Sequence, residues 1–475
     1  METTKTRTLA IDHADALAVF DSARLQASDA FIFESSPAIG SEVQTSVIGL
    51  GPFEILRDRG SRAEVTVRGR TEPITAPFLV ELERRLALFP TQTRFPYEHG
   101  GIFGCIGYDT VADMEPRLKK SGYFQTRELE TEPRAEVAIV QRLIVFDHAK
   151  GKLHLVDTTD AGLEQLEKIV KFATLKSAPK LKISELKTKD LKASLGAESF
   201  DEGIEKLKHH IRQGDIFQAV LAERFEYELS VQAIDVFRTL RRISPAPYSY
   251  YFNFGERAFL GGSPEALLKV NGGKMLTHPI AGTRPRGRTT AEDKTLARNL
   301  NRSTKENAEH LMLVDLARND LGRMARPGTV NVTAFRSLQR LSNVMHLVSD
   351  VEAQLAEGKS ALDAFKACFP AGTLSGAPKI RAMEILSGIE RTPRGLYGGA
   401  VVAFESSLKL DSCIAIRSLE VRGTTAILRA GAGIVADSKA ESEYMEIQHK
   451  LKPLRQAIAT AEALLTGKRL QGAVS

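Results

Sequence analysis

The stretch Ala430-Gly431-Ala432-Gly433-Ile434-Val435-Ala436-Asp437-Ser438 separates two possible folds for this chain. It follows a strand-like run, TAILRAG (425–431), and precedes a helical pattern over 438–464. Gly431, Gly433 and Ala436 superficially match the GxGxxA fingerprint of a dinucleotide-binding unit. That fingerprint needs its helix to open at the second glycine. Here Ile434-Val435 continue a β-type run, and Asp437 or Ser438 supplies the oxygen that caps a helix start. The acidic residue expected about 20 positions later, after a second strand, is missing, because 453–464 still reads helical. The doubly wound reading is therefore rejected. The glycines then form either a tight turn or a nest of backbone N–H groups for a carboxylate.

The rest of the chain agrees with an α+β fold. Strand candidates lie at 137–146, 152–156, 248–254, 258–262, 274–280, 398–404 and 425–431, rich in β-branched and aromatic residues. Helical spacing marks 78–89, 199–213, 303–325, 360–368, 376–389 and 438–464. Strand runs broken by isolated helices favour α+β over alternating βα units. The lysine-rich, proline-bearing segment KSAPKLKISELKTKDLKAS (176–194) marks a boundary. It gives an N-terminal region over 1–175, a linker over 176–195 and a C-terminal domain over 196–465.

The chain has 475 residues, 43% hydrophobic and 26% charged, an ordinary balance for a soluble protein with sizeable cores. Its net charge is +6, and eight lysines against Glu185 and Asp190 between Lys168 and Lys192 account for all of it. Without interleaved aromatics or arginines that run reads as solvated, so nucleic-acid binding is not expected. No stretch approaches the roughly 18 apolar residues of a membrane helix. The N-terminus lacks an export signal, and the expected location is the cytoplasm. Cys105, Cys368 and Cys413, odd in number and far apart, fit a reducing compartment rather than a disulfide framework. Gly104-Cys105-Ile106-Gly107 has a superficial likeness to a glutaminase nucleophile elbow, but Phe103 replaces the first glycine; a packed strand cysteine is expected.

Two helices carry carboxylates three residues apart. Ser303 and Glu306 form a capping-box pattern, with Glu309 one turn further on the same face. Glu443 and Glu446 repeat the spacing, and Lys450 follows four residues later. Four carboxylates meeting in one pocket suit a hard cation such as Mg²⁺. Either ExxE alone is more often a solvated helix face.

Taken together, the longer motifs resemble the chorismate-utilising enzymes, and most closely the anthranilate synthase large-subunit family. They are IFQAVLAERF (216–225), GGSPEALL (261–268), HPIAGTRPRG (278–287), KENAEHLMLVDLARNDLGR (305–323), VMHLVSDV (344–351) and FPAGTLSGAPKIRAMEIL (369–386). YGGAV (397–401), AIRS (415–418), AGAGIVADS and ESEYMEIQHK (441–450) complete them, in the family's order. In the N-terminal region FIFESSP (31–37) and GGIFGCIGYD (100–109) are the counterparts. The resemblance implies large, mostly antiparallel sheets forming a β-sandwich flanked by helices. It also implies conversion of chorismate and ammonia to anthranilate and pyruvate, the first step of tryptophan biosynthesis.

The resemblance assigns roles residue by residue. Glu309 and Glu446 bind Mg²⁺, with Glu306 and Glu443 in the outer shell. The metal grips the ring carboxylate, which also meets backbone N–H groups of Gly431, Ala432 and Gly433. Arg417 and Tyr397 hold the enolpyruvyl carboxylate, and Lys450 and Thr283 orient the dianion. Glu265 is the general acid at the C4 hydroxyl, and His346 assists loss of pyruvate. Each also has a structural alternative: His346 in a core, Arg417 in an ion pair, Glu265 capping a helix after Pro264.

Two positions discriminate within the family. Water-using relatives place a lysine at Gln218, and aminodeoxychorismate synthases place a nucleophilic lysine at Ala281. Their absence implies direct attack by ammonia, supplied by a separate glutamine amidotransferase subunit in a hetero-oligomer. Glu34, Ser35, Pro247 and Tyr248 form the expected tryptophan inhibitor site, although Ser249 stands where the family more often has Met. The alternative is an aminodeoxychorismate synthase component, towards which APYS (246–249) leans and against which Ala281 speaks. A non-catalytic chorismate-binding partner is disfavoured by intact Glu265, Glu309, His346 and Glu446.

Overall fold

Along the strand Ala30–Ser35, Ala30 and Ile32 face a core shared with helices, while Phe31 and Phe33 face a core between two sheets. Side chains alternate across a strand, so a strand covered on both faces must be apolar throughout, and this one is buried at every position. The computed structural model describes the chain except residues 1–2, 11–14, 28, 37–42, 52, 61, 121–131, 175–187, 189–190, 256, 341–343, 391 and 466–475, and the side chains of Thr283, Lys305 and Val344.

Two sheets of 12 strands each carry the fold, and every ladder among the described residues is antiparallel. Their inner faces meet around aromatic rings: Phe31 lies 4.9 Å from Phe103 and 5.1 Å from Phe252, centroid to centroid. The first sheet's outer face packs on helices that include Ala16–Arg24, Gly196–Arg212, Ala233–Ile243 and Ala440–Leu465. The second sheet's outer face carries Phe78–Leu86, Thr304–Gly322 and Ala361–Cys368. The expected α+β sandwich flanked by helices is the observed architecture.

Some boundaries differ from expectation. The run 137–146 is two strands, Ala135–Val140 and Leu143–Asp147, in different sheets, so Gln141-Arg142 carries the chain across the sandwich. His278-Pro279 similarly splits 274–280 into Lys274–Thr277 and Ile280–Pro285, which both pair with Val344–Gln354. Strands from both sides of the lysine-rich segment share both sheets: Ala30–Ser35 pairs with Tyr248–Asn253, and Gly101–Ile106 with Ala400–Ser406. Most of the 176–195 linker lies outside the described residues.

Candidate active site

Gly431 and Gly433 form neither a turn nor a nest. They lie inside the regular strand Thr425–Ile434, opposite Ala222 and Val220 of the strand Gln218–Glu228. In an antiparallel ladder the N–H and C=O of one residue point the same way, and successive residues alternate. Ala222 N–H goes to Glu390 and Val220 N–H to Ser375, both away from the glycine strand. Gly431 and Gly433 therefore turn their own polar groups to the opposite, open side. Ala432, opposite Leu221, turns its groups into the ladder, which corrects the expectation that three successive N–H groups are offered. A methyl group at Gly431 would lie 2.8 Å from the Leu221 carbonyl and 2.9 Å from the Tyr397 hydroxyl; one at Gly433 would lie 2.8 Å from Gln218 Nε2. The glycines are what lets those two side chains approach.

This open side borders a cavity of about 350 Å³. It is lined by Gln218, Glu265, His346, Tyr397, Arg417, Gly431, Gly433 and Lys450, and by Glu309 and Glu446. The volume suits a small, charged metabolite. The helix Ala440–Leu465 contributes Glu446 and Lys450, one turn apart and paired at 2.7 Å, and Lys450 also donates to the Gly431 carbonyl at 2.7 Å. Arg417 has left-handed backbone (φ 51°), which costs a non-glycine residue about 1–3 kcal/mol. The Gly262 N–H holds its carbonyl at 3.2 Å, and its guanidinium faces the cavity.

Glu265 is followed by the strand Ala266–Asn271, so it caps no helix. Burial drives its pKa up to about 7, against the opposing effects of a 3.2 Å hydrogen bond from Thr373 and the charges of Arg417 and Lys450. His346 sits on Val344–Gln354, opposite Thr283 in the register. Its Nδ1–H donates to the Gly282 carbonyl at 3.2 Å, and desolvation pulls its pKa below the usual value, favouring a neutral ring with Nε2 as acceptor. The Thr283 side chain lies outside the described residues.

Of the four expected carboxylates, Glu309 and Glu446 line the cavity while Glu306 and Glu443 do not. Ser303 caps the helix Thr304–Gly322 through the Glu306 N–H. The Glu306 carboxylate, instead of reaching back, meets Arg284 at 3.0 Å. Among the described residues no three His, Cys, Asp or Glu side chains form a ready cation cage. Two hard oxygen donors from separate helices nevertheless fit a dication that keeps several waters and shares its substrate's oxygens.

A model of the chorismate binding enzymes matches residues 30–456. The chain belongs to that family. It is 37% identical over 453 residues to anthranilate synthase component 1 of Pseudomonas aeruginosa, covering 92% of this chain and 91% of that one. It is 36% identical over 473 residues to the Aquifex aeolicus protein of the same name, covering 96% and 94%. The crystal structure of anthranilate synthase component I from Streptococcus pneumoniae superposes with a TM-score of 0.76 at 34% identity, over 89% of this chain and 93% of that one.

In this chorismate-binding enzyme, sequence reasoning missed Thr373 and Arg429. Thr373 sits inside a quoted motif but was given no role. Arg429 lines the cavity, and burial lowers its pKa to about 10. Its signal was strand parity, since it lies two residues before Gly431. Cys105 is a buried strand cysteine whose thiol pKa burial pushes well up, as expected for a packing residue. The four residues of the expected tryptophan site come together, Glu34 and Ser35 lying opposite Ser249 and Tyr248. The Glu34 carboxylate is clamped by Arg241 at 2.6 and 2.8 Å. Among the described residues no helix is long and apolar enough to cross a membrane.

Proposed function

We propose that this chain is the large subunit of a cytoplasmic anthranilate synthase, a lyase that forms anthranilate and pyruvate from chorismate and ammonia. The observation that carries the reading is the pair of cavity residues Gln218 and Ala281, neither of which can supply an amine. Lys450 is the one lysine among the described lining residues, and the Gly431 carbonyl and Glu446 engage its ammonium. Ammonia itself therefore attacks C2. With Cys105 sealed in a strand, the ammonia comes from a separate glutamine amidotransferase subunit.

Chorismate is a dianion, and the cavity offers matching donors. Arg417 and Tyr397 take the enolpyruvyl carboxylate, while Lys450 and the Gly431 and Gly433 N–H groups take the ring carboxylate. Glu309 and Glu446 would hold Mg²⁺, whose charge would steady that ring carboxylate as electron density shifts through the diene. Glu265, half protonated near neutrality, gives its proton to the C4 hydroxyl, which departs as water. Neutral His346 then accepts the C2 proton as the ring aromatises and the C3–oxygen bond breaks. The departing enolpyruvate takes up one proton at its methylene carbon to become pyruvate, so that proton loss and uptake cancel.

The test mixes the purified chain with chorismate, Mg²⁺ and an ammonium salt at alkaline pH, following anthranilate fluorescence and pyruvate together. Equal amounts of both products are expected. Loss of chorismate with neither product would sink the reading, because the amino intermediate would then be the product.

A further inference from the structure

Glu265 has a second cavity behind it. This one, of about 60 Å³, shares Glu265, Leu313 and Thr373 with the substrate cavity and is also lined by Thr277, His278, Asp320 and Cys368. Two of its polar atoms, Thr277 Oγ1 and His278 Nε2, are buried without a hydrogen-bond partner among the described residues. Thr277 is only 8% exposed. Orphaned buried polar atoms around a space of this size indicate ordered water, since about 10–15 Å³ suffices for one molecule. The other side of His278 is held, its Nδ1–H donating to Asp350 at 2.7 Å. Asp350 has a side chain 37% exposed, which links the ring to solvent. Among the described residues, Glu265, Leu313 and Thr373 form the wall between this cavity and the substrate cavity.

We propose that His278, oriented by Asp350, is a positioning residue that returns a proton through water in this second cavity to Glu265 after each turnover. The inference rests on Glu265 being the general acid. When the C4 hydroxyl has left as water, Glu265 is a carboxylate. A cavity water gives it a proton and takes one from the imidazolium Nε2–H of His278. The now neutral ring is recharged from solvent on the Asp350 side. The attacking ammonia, once bonded to C2, releases one proton to solvent, so the cycle is balanced. The charges facing this path are Asp350 on the His278 side, Asp320 paired with Lys379 at 2.8 Å, and Arg417 and Lys450 on the far side of Glu265. Thr277 supplies a hydroxyl that holds the water in line. Glu265 lines both cavities, so bound substrate on one side leaves the second cavity as the side from which a proton can return.

The experiment compares the full chain with His278→Ala and Asp350→Asn, using chorismate, Mg²⁺ and an ammonium salt with and without added imidazole. His278→Ala is expected to lower kcat about tenfold or more, a fraction of the usual acid–base contribution, with KM for chorismate unchanged. Imidazole restores kcat in proportion to its concentration, which a purely structural defect does not allow. Asp350→Asn keeps the ring and shows a smaller, also rescuable loss, covering the case in which the alanine variant does not fold. A kcat that is unchanged in both variants, or lowered without rescue, overturns the relay. Glu265→Gln separates the two ideas: retained turnover there refutes the general-acid assignment itself, whereas a loss that imidazole cannot rescue leaves it standing. A crystal structure should also place water on Thr277, His278 and Glu265; a dry cavity counts against the relay.

Discussion

Replacing Glu265 by Gln should abolish most turnover and at the same time stabilise the protein at alkaline pH. The carboxyl has a folded pKa near 7 against an ordinary value of 4.5. A raised carboxyl pKa contributes stability that is complete below pH 4.5 and is lost as pH rises through 7. The 2.5-unit difference between those values, at about 1.4 kcal/mol per unit, corresponds to about 3 kcal/mol of burial cost in the ionised form at pH 9. Gln carries no such cost. Equilibrium denaturation of both proteins at pH 5 and pH 9 should show their stability difference moving by about 2–3 kcal/mol in favour of the variant, allowing for relaxation of cavity water. The same variant should lose about 10²–10⁴-fold in kcat, because an amide cannot protonate the departing hydroxyl. The wild-type kcat/KM for chorismate, corrected for the fraction of ammonium present as free ammonia, should fall about tenfold per pH unit above 7, the pKa of Glu265 in the free protein. A stability difference that does not move with pH, or a kcat within about threefold of wild type, would refute the reasoning.

Glu309→Gln should cut Mg²⁺-dependent turnover by at least about 100-fold with unchanged circular dichroism; full activity would remove the metal assignment. Gly431→Ala should cost about 1–3 kcal/mol through overpacking against the Leu221 carbonyl and should raise KM for chorismate by displacing Tyr397, both read by denaturation and steady-state kinetics. The chain contains no tryptophan, so added L-tryptophan can be followed by its own fluorescence without background. Saturable quenching or enhancement is expected, and it should disappear in Glu34→Ala. Signal independent of protein concentration would leave no inhibitor site at Glu34, Ser35, Pro247 and Tyr248.

What the sequence revealed follows from how local each signal is. Helix starts with their own capping residue, such as Ser303 before Thr304–Gly322, read directly. The apolar runs read as strands, but 137–146 could not show that its two halves belong to different sheets, because both faces of a sandwich strand are buried. Site residues on long motifs came together because the motifs fix their identity; ten of the expected positions line one cavity. The glycine segment was misjudged for a physical reason. Gly-Ala-Gly reads as a turn when considered alone, and only the partner strand shows that the glycines are needed for close approach. The reach-back of Glu306 in the capping box was misjudged for a similar reason, since Arg284, twenty-two residues away in sequence, competes for its carboxylate.

The site also contains an electrostatic conflict whose resolution can be measured. Arg417 and Lys450 are needed to hold a dianion, and both act to ionise Glu265, the group required to stay protonated. Burial wins in the free protein by enough to leave the carboxyl pKa at about 7. Chorismate brings two negative charges that neutralise those cations and exclude water, and each effect raises the Glu265 pKa further. Binding should therefore take up protons. At pH 7.5 about a quarter of Glu265 is protonated in the free protein, and nearly all of it when substrate is bound, an uptake of about 0.7 proton. Calorimetric titration of chorismate without ammonium, in two buffers of different ionisation enthalpy, reads this number directly. Uptake should vanish in Glu265→Gln. Equal binding enthalpies in both buffers would mean that the cations, rather than burial, set the protonation of Glu265, and the carboxyl could not then act as an acid.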